Sequence, residues 1–359
     1  GRRRMGANTT LVARTFDIVR MFASGATSSA VRSSIDIEEE PLSHLVDYLS
    51  AVDDVPPTTQ IAILVDSDSY DRRPAFTNFS TWQRTAWEQG YGVRMLTDID
   101  QAIFESLIII DANQTNTLPH SAIEHLAESG NQVLLIAPST TQPSDSAFAK
   151  TAGVQFEGES HLQRLDEAND ATWHLTGRLT EPSLKHAGTH LKTSTAPLKL
   201  TATDPSLERT RQLMNEPRPA LRAANWARVF TPGDSTTTLA SVDDPLSELD
   251  GHPIITKRAV ANAHGEAGGN VWLVGADLDA FTRATLLRLI SVHARIRPMN
   301  LQFPRGIEVV QRAHMTFIVN HGSTMAELSN VHGLDVISGN TCTGHVALAP
   351  HSVMVVVGE

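Results

Sequence analysis

Ile61-Ala62-Ile63-Leu64-Val65-Asp66-Ser67-Asp68-Ser69 decides the fold. An unbroken apolar run of this length that stops abruptly at Asp and Ser reads as a strand buried on both faces, leading into a loop. Phe79 to Gln89 follows, with Trp82 and Ala86 four residues apart, as a helix. Gly90 and Gly92 stop it before a second strand at Val93-Arg94-Met95-Leu96. A third strand, Leu107-Ile108-Ile109-Ile110-Asp111, leads to a helix from about Pro119 with Gly130 just past its end, and a fourth runs from Gln132 to Ala137. Strands alternating with helices in this way specify an open parallel α/β sheet.

Outward from that core the rhythm changes twice. Residues 144–253 are rich in Thr, Ser, Asp and Pro with scattered strand-like pieces such as Leu198-Lys199-Leu200-Thr201, the mark of an irregular insertion with strands of its own. The α/β pattern returns at Asn270 to Ala276 and continues in a helix from Ala280 to His293, where Leu286, Leu287, Leu289 and Ile290 are expected to form one apolar face. From Ile307 the period is two. Short strands are expected at Ile307 to Val310, Met315 to Val319, Asp335 to Ile337, around Ala347 and at Val353 to Val357, forming a small antiparallel β domain. The expected organisation is a helical linker over residues 1–58, an α/β domain over 59–299 with its insertion, and a β domain over 300–359.

Composition excludes several classes of function. With 359 residues, 41% apolar and 19% charged, the chain has the makings of a sizeable core and two domains. Its 40 acidic residues outnumber 29 basic ones, for a net charge of -11, so nucleic acid and anionic membranes are poor partners. The single Cys342 excludes an internal disulfide and a Cys-rich zinc site, which fits a reducing, cytoplasmic setting. Arg2-Arg3-Arg4 opens the chain as a signal peptide would, but Arg14, Asp17 and Arg20 interrupt Leu11 to Ala23. The start at Gly1 rather than Met is expected of a processed protein or a piece of a longer one.

Each candidate site has a structural alternative. His264-Gly265-Glu266-Ala267-Gly268-Gly269 is glycine-dense, but a phosphate loop follows a strand and opens a helix, whereas these glycines precede one; a hairpin or crossover turn is expected. His186 and His190 are four apart beside Lys185 and Lys192, and His345 and His351 fall on the C-terminal strands; surface histidines are expected rather than metal ligands. Cys342 lies outside any strand-to-helix turn of the α/β sheet, so it reads as structural rather than as a nucleophile. The remaining chemistry is carboxylate: Asp66 and Asp68 after the first strand, Asp111 at the third, Asp277 and Asp279 after the last. Strand ends are where such sheets bind ligands, and Asp is also a common helix cap.

Phe303-Pro304-Arg305-Gly306-Ile307-Glu308-Val309-Val310-Gln311-Arg312, then Thr316-Phe317-Ile318-Val319-Asn320-His321, Asp335-Val336-Ile337-Ser338-Gly339 and Val346 to Val353 together resemble the C-terminal β domain of family 42 glycoside hydrolases, bacterial β-galactosidases. The preceding α/β region is similar to that family's trimerisation domain, which has an amidotransferase-like, flavodoxin-like fold without the amidotransferase site. The resemblance implies a homotrimer with no cofactor and no metal. It also implies that the catalytic glutamate pair, ~5 Å apart in a retaining enzyme, belongs to a (β/α)₈ barrel of ~250 residues. Too few residues precede Ile61 for such a barrel. The segment Arg2 to Ala7 resembles the end of that barrel, with Asn8 and Leu11 standing where the family's sugar-contacting Glu and His would be.

The expectation is therefore a non-catalytic trimerisation and C-terminal region, a fragment or degenerate copy with no catalytic residue. Its rival is an amidotransferase-like, small-molecule-binding protein with a site at Asp66, Asp111 and Asp277. A free-standing sugar-binding module is disfavoured because residues 300–359 contain no Trp or Tyr to stack on a sugar.

Overall fold

A computed structural model of the chain describes residues 2–23, 28–34, 40–65, 76–112, 119–137, 145–156, 162–164, 195–200, 222–242, 250–298, 303–304 and 306–358. The elements begin with helices α1 (Arg2–Ala23), α2 (Ser28–Ser34) and α3 (Glu40–Leu49). An alternating region follows: β1 (Ile61–Leu64), α4 (Phe76–Glu88), β2 (Val93–Leu96), α5 (Ile99–Ala102), β3 (Leu107–Asp111), α6 (His120–Glu128), β4 (Gln132–Ile136) and α7 (Asp145–Ala152). Then come β5 (Val154–Phe156), β6 (Leu162–Arg164), β7 (Thr195–Leu200), β8 (Arg222–Arg228), β9 (Phe230–Pro232), β10 (Thr236–Val242), β11 (Pro253–Ala261), β12 (Ala267–Val274), β13 (Ala276–Leu278) and α8 (Ala280–His293). The chain closes with β14 (Ile307–Arg312), β15 (Met315–Asn320), β16 (Ala326–Asp335), β17 (Thr341–Leu348) and β18 (Val353–Val357). It divides into two compact units, Gly1–Ala62 with Gln83–Met95 and Arg297–Glu359, and Ile63–Trp82 with Leu96–Ile296.

In the second unit a mixed sheet has the strand order β13-β8-β7-β10-β11-β12-β4-β3-β1-β2, and the segments carrying β1 and β2 straddle the unit boundary. β3, β4 and β12 are parallel, with Leu107 opposite Gln132 and Asn270 opposite the same residue from the other side. Every residue of β3 and β4 is buried, as a strand covered on both faces must be, which is why they read as unbroken apolar runs. The expected α/β class with a separate small β domain is present. Among the described residues of the insertion, β7, β8 and β10 extend the sheet antiparallel beyond β11. The glycine-dense segment is a hairpin turn: β11 and β12 pair antiparallel, and Asn262 Oδ1 accepts from the backbone N–H of His264 and Glu266, both at 2.9 Å.

α8 has its expected bounds, set by Asp279, whose carboxylate accepts from Thr282 N at 2.7 Å as an N-cap. The single apolar face does not hold. Thr282, Ala284, Thr285, Leu286, Leu287, Leu289, Ile290 and Ser291 are all buried, so the helix is enclosed on most sides. Its hydroxyls are satisfied within the helix, Thr285 Oγ1 donating to Phe281 O and Ser291 Oγ to Leu287 O, which lets polar residues sit in that interior.

The first unit joins the N-terminal helices to the five-stranded antiparallel sheet β14-β15-β18-β16-β17. Val310, Met315, Phe317 and Val355 on one face pack against Ile18, Val19 and Phe22 of α1 and Leu42, Val46 and Leu49 of α3. Ile307, Ile318, Met354 and Val356 point the other way and meet Leu328, Val331, Cys342 and Leu348 of β16 and β17 in a second core. Phe317 and Val355 share one face, with partly buried Val353 and Val357 packed against it, as the alternation predicts. The expected strand Asp335 to Ile337 is corrected: β16 ends at Asp335, and Val336 to Ser338 form a turn. The Asp335 carboxylate draws that turn together by accepting from Ile337 N, Ser338 N and Val355 N.

Candidate functional site

Of the carboxylates picked out in the sequence, Asp111, Asp277 and Asp279 are among the described residues. Asp111 is buried at the end of β3, on the β3–β4 ladder. Asp277 lies on β13, which pairs with β8, and forms an ion pair with Arg283 of α8 at 3.5 Å. Asp279 is committed to the α8 N-terminus. Asp66, Asp68, His186 and His190 lie outside the described residues. His345 is exposed within β17, and His351 is exposed in the turn before β18. Among the described residues no group of three or more His, Cys, Asp or Glu side chains is placed to hold a metal.

Cys342 sits buried on β17. Burial, helped by the negative charge of Asp335, pushes its thiol pKa above the ordinary value, with the Asp335 backbone hydrogen bond opposing. A buried thiol held protonated is a packing residue and not a nucleophile.

The polar residues of the C-terminal motif are nearly all turned inward. Arg312 is 1% exposed and donates through Nε to Val55 O, through Nη1 to Phe22 O and through Nη2 to Val52 O, each at 2.8 Å. One planar fork thus satisfies carbonyls at the end of α1 and in the turn after α3. Burial lowers the Arg312 pKa, with Asp53 opposing. Asn320 Nδ2 donates to the carbonyls of Thr324, Leu348 and Ala349, while its Oδ1 accepts from Gly322 N, fixing two loops at one end of the sheet.

Glu308 and His321 form a third element of this scaffold. His321 Nε2 and Glu308 Oε2 are 2.7 Å apart, with the Glu308 side chain fully buried. The imidazole stacks on Trp87 of α4 at 4.1 Å between centroids and 4° between planes, and Phe16 of α1 meets it edge-on at 6.0 Å. The Arg20 guanidinium lies over the same Trp87 ring at 5.3 Å. The motif therefore ties α1 and α4 to β14 and β15. A further charged cluster in the second unit joins α6, α7 and β11. Arg258 pairs with Glu124 at 2.6 Å and donates to Thr151 O, and His120 Nδ1 lies 2.5 Å from Thr151 Oγ1. Burial holds the His120 pKa below 6.5, with Lys150 and Arg258 adding and Glu124 opposing.

The first unit carries an apolar groove of about 630 Å³ among its described residues. Leu11 of α1, Leu42, His44, Leu45 and Tyr48 of α3, Val336 after β16 and Val353 of β18 are among the residues that line it. Tyr48, 45% exposed, is the residue that sequence reasoning missed. An aromatic from the N-terminal segment stands at an edge of the β domain that has no Trp or Tyr of its own. Its only signal was amphipathic spacing within α3, where Leu42, Val46 and Leu49 are buried and Tyr48 falls off that face. Among the described residues no Asp, Glu, Lys or Arg lines the groove, and His44 of α3 is its acid–base group beside a mostly apolar lining.

No family model and no curated protein matches the sequence. Solved structures do match in fold. A β-galactosidase from Bacillus circulans sp. alkalophilus superposes with a TM-score of 0.60 at 14% identity, over 89% of this chain and 44% of its own. A catalytic mutant of a family 42 β-galactosidase from G. stearothermophilus gives 0.57 at 12% identity, over 89% and 44%. A β-galactosidase from the Antarctic haloarchaeon Halorubrum lacusprofundi gives 0.55 at 14%, over 87% and 42%. At such identities the likeness is one of fold, and this chain spans less than half the length of those it matches. No helix among the described residues is long and apolar enough to cross a membrane.

Proposed function

We propose that this chain is the non-catalytic oligomerisation and C-terminal region of a family 42 β-galactosidase, an enzyme class that hydrolyses terminal β-D-galactosides. The observation that carries the reading is the fold match over 89% of this chain against 44% of the β-galactosidase chain. Two further facts support it. Asp277 and Asp279 are engaged in structural contacts rather than forming a pair of reacting carboxylates. The motif residues Glu308, Arg312, Asn320 and Asp335 each have a defined scaffolding contact. In this reading the chain assembles as a cytoplasmic homotrimer through the α/β unit and contributes no residue to glycoside cleavage.

The test is a nitrophenyl β-galactoside assay on the pure chain, run beside light scattering. No turnover above a heat-inactivated control, together with self-association, is the expected result. Turnover that co-purifies with the chain would overturn the non-catalytic assignment, and a monomer of 39.0 kDa at micromolar concentration would overturn the oligomerising role.

A further inference from the structure

Helix α3 carries two working faces. Leu42, Val46 and Leu49 enter the core shared with the β domain, whereas Pro41, His44, Leu45 and Tyr48, spaced i, i+3, i+4 and i+7, line the groove of about 630 Å³. Another wall is fixed by hydrogen bonds of its own. The Asp335 carboxylate accepts from Ile337 N at 3.2 Å and Ser338 N at 3.3 Å, and Val336 N donates to Val355 O at 2.9 Å. Gly339 N donates to Asp335 O at 2.8 Å, so Val336 and Ile337 stand on a closed turn. Leu334 and Tyr48, each 45% exposed, leave large apolar surface in the groove open to water.

Size and lining chemistry select the occupant. A volume of about 630 Å³ falls within the ~300–1,000 Å³ that holds a small molecule. Thirteen described residues line it, against roughly 20–30 on each side of a stable protein interface. No Asp, Glu, Lys or Arg is among them, so a charged ligand would lose hydration and gain no counter-ion. Glu40, outside the lining and 3.7 Å from His44 Nε2, has a side chain 88% exposed and keeps its water. Of the four hydrogen-bonding side chains in the lining, two are engaged: Thr15 Oγ1 donates to Leu11 O at 2.9 Å and Ser352 Oγ to Ala349 O at 2.5 Å. The Tyr48 hydroxyl and the His44 imidazole, one helical turn apart, are left for a ligand. Two such groups on an apolar wall suit one hydroxyl-sized head and are too few for a sugar, which presents hydroxyls all round its ring.

We propose that this groove binds an uncharged small molecule with an aromatic or alkyl body and a single hydroxyl-type head, the body against Leu45, Leu334 and Ile337 and the head at Tyr48 and His44. The site belongs to the first unit alone and does not rest on the self-association reading. Phenylnaphthylamine, an uncharged probe that fluoresces in apolar surroundings, tests it on the full chain. Saturable binding is expected, and Tyr48→Ala and Leu334→Ala, both at half-exposed positions, should each weaken it at least about fivefold while keeping the wild-type melting curve. Naphthylmethanol, naphthylmethylammonium and naphthoate, which share a ring system and differ in the head, then compete for the probe. The alcohol should displace it at least about tenfold better than either ion. Absence of saturable binding to wild type, or unchanged affinity in a variant that keeps its melting curve, overturns the site. An ion that competes as well as the alcohol overturns the uncharged ligand class.

Discussion

Arg312→Met is the sharpest test of how the first unit is held together. The guanidinium is buried and makes three bonds of 2.8 Å to backbone carbonyls of Phe22, Val52 and Val55. Methionine fills a comparable volume and donates nothing. Exchanging a whole buried ion pair for apolar side chains is often harmless, because both charges leave together. Here the acceptors belong to the main chain and stay. Val52 O keeps the N–H of Val55 at 3.0 Å, so the carbonyls that lose their donor are those of Phe22 and Val55. At about 1–3 kcal/mol for each buried carbonyl left without a donor the range is about 2 to about 6 kcal/mol. Relief of the desolvated cation, whose burial is already visible in its lowered pKa, pulls the sum to the low end, about 2–4 kcal/mol.

Amide hydrogen exchange in β15 is the suitable assay, since a chain of two units need not unfold in one step and exchange reports locally. At a factor of ten per 1.4 kcal/mol, protection should fall by roughly thirty- to several hundred-fold. Arg312→Lys should fall between, because one ammonium cannot span three carbonyls as a planar fork does. A loss of less than about tenfold in the Met variant would refute the claim that Arg312 joins the helices to the sheet.

Phe317→Ala should cost about 3–5 kcal/mol, as for an aromatic enclosed by α1 and α3, whereas the neighbouring half-buried Thr316→Ala should cost under about 1 kcal/mol. Equal losses of β15 protection in the two variants would show the register to be wrong. His120 supplies a pH test. Its folded pKa is depressed, so between that value and 6.5 the unfolded chain binds more protons; its contribution is full above 6.5 and is lost as the pH falls through the folded value. Wild type should therefore lose more stability on acidification in that window than His120→Gln, which does not titrate, and parallel pH–melting curves for the two would sink the assignment.

The parts of the fold that were legible in the sequence are those in which one physical demand acts alone. β3 and β4 are buried on both faces, so apart from Asp111 and Gln132 at their ends their residues are apolar and stand out from the surrounding helices. The ends of α8 were legible because Asp279 caps it, but its enclosure was hidden by Thr282, Thr285 and Ser291, whose side chains look solvent-facing until their local hydrogen bonds are known. Most of β16 escaped notice because its alternation changes phase. Ala326 and Leu328 are buried, the register then shifts at a bulge where Asn330 takes a φ of 61°, and burial resumes at Val331. Period-two reasoning sees two short fragments in such a strand.

The candidate site was less legible for a related reason: a buried polar residue and a reacting one are spelled with the same letters. Glu308, Arg312, Asn320, His321 and Asp335 have the residue types of a catalytic cluster, and nothing in their spacing shows that their partners are mostly backbone groups. The geometry separates the two roles. Arg312 ends on carbonyls from the α1 terminus and from the turn after α3, Asn320 on carbonyls in two loops, and Asp335 on amides of a turn and of β18. Groups spent on main-chain partners have little left to offer a substrate, whereas their number and angular demands fix where each must stand. Such residues mark a fold clearly at very low overall identity while carrying no information about a reaction. Phe104 is the converse case, an apolar side chain left exposed on a turn whose backbone is braced by Asn131.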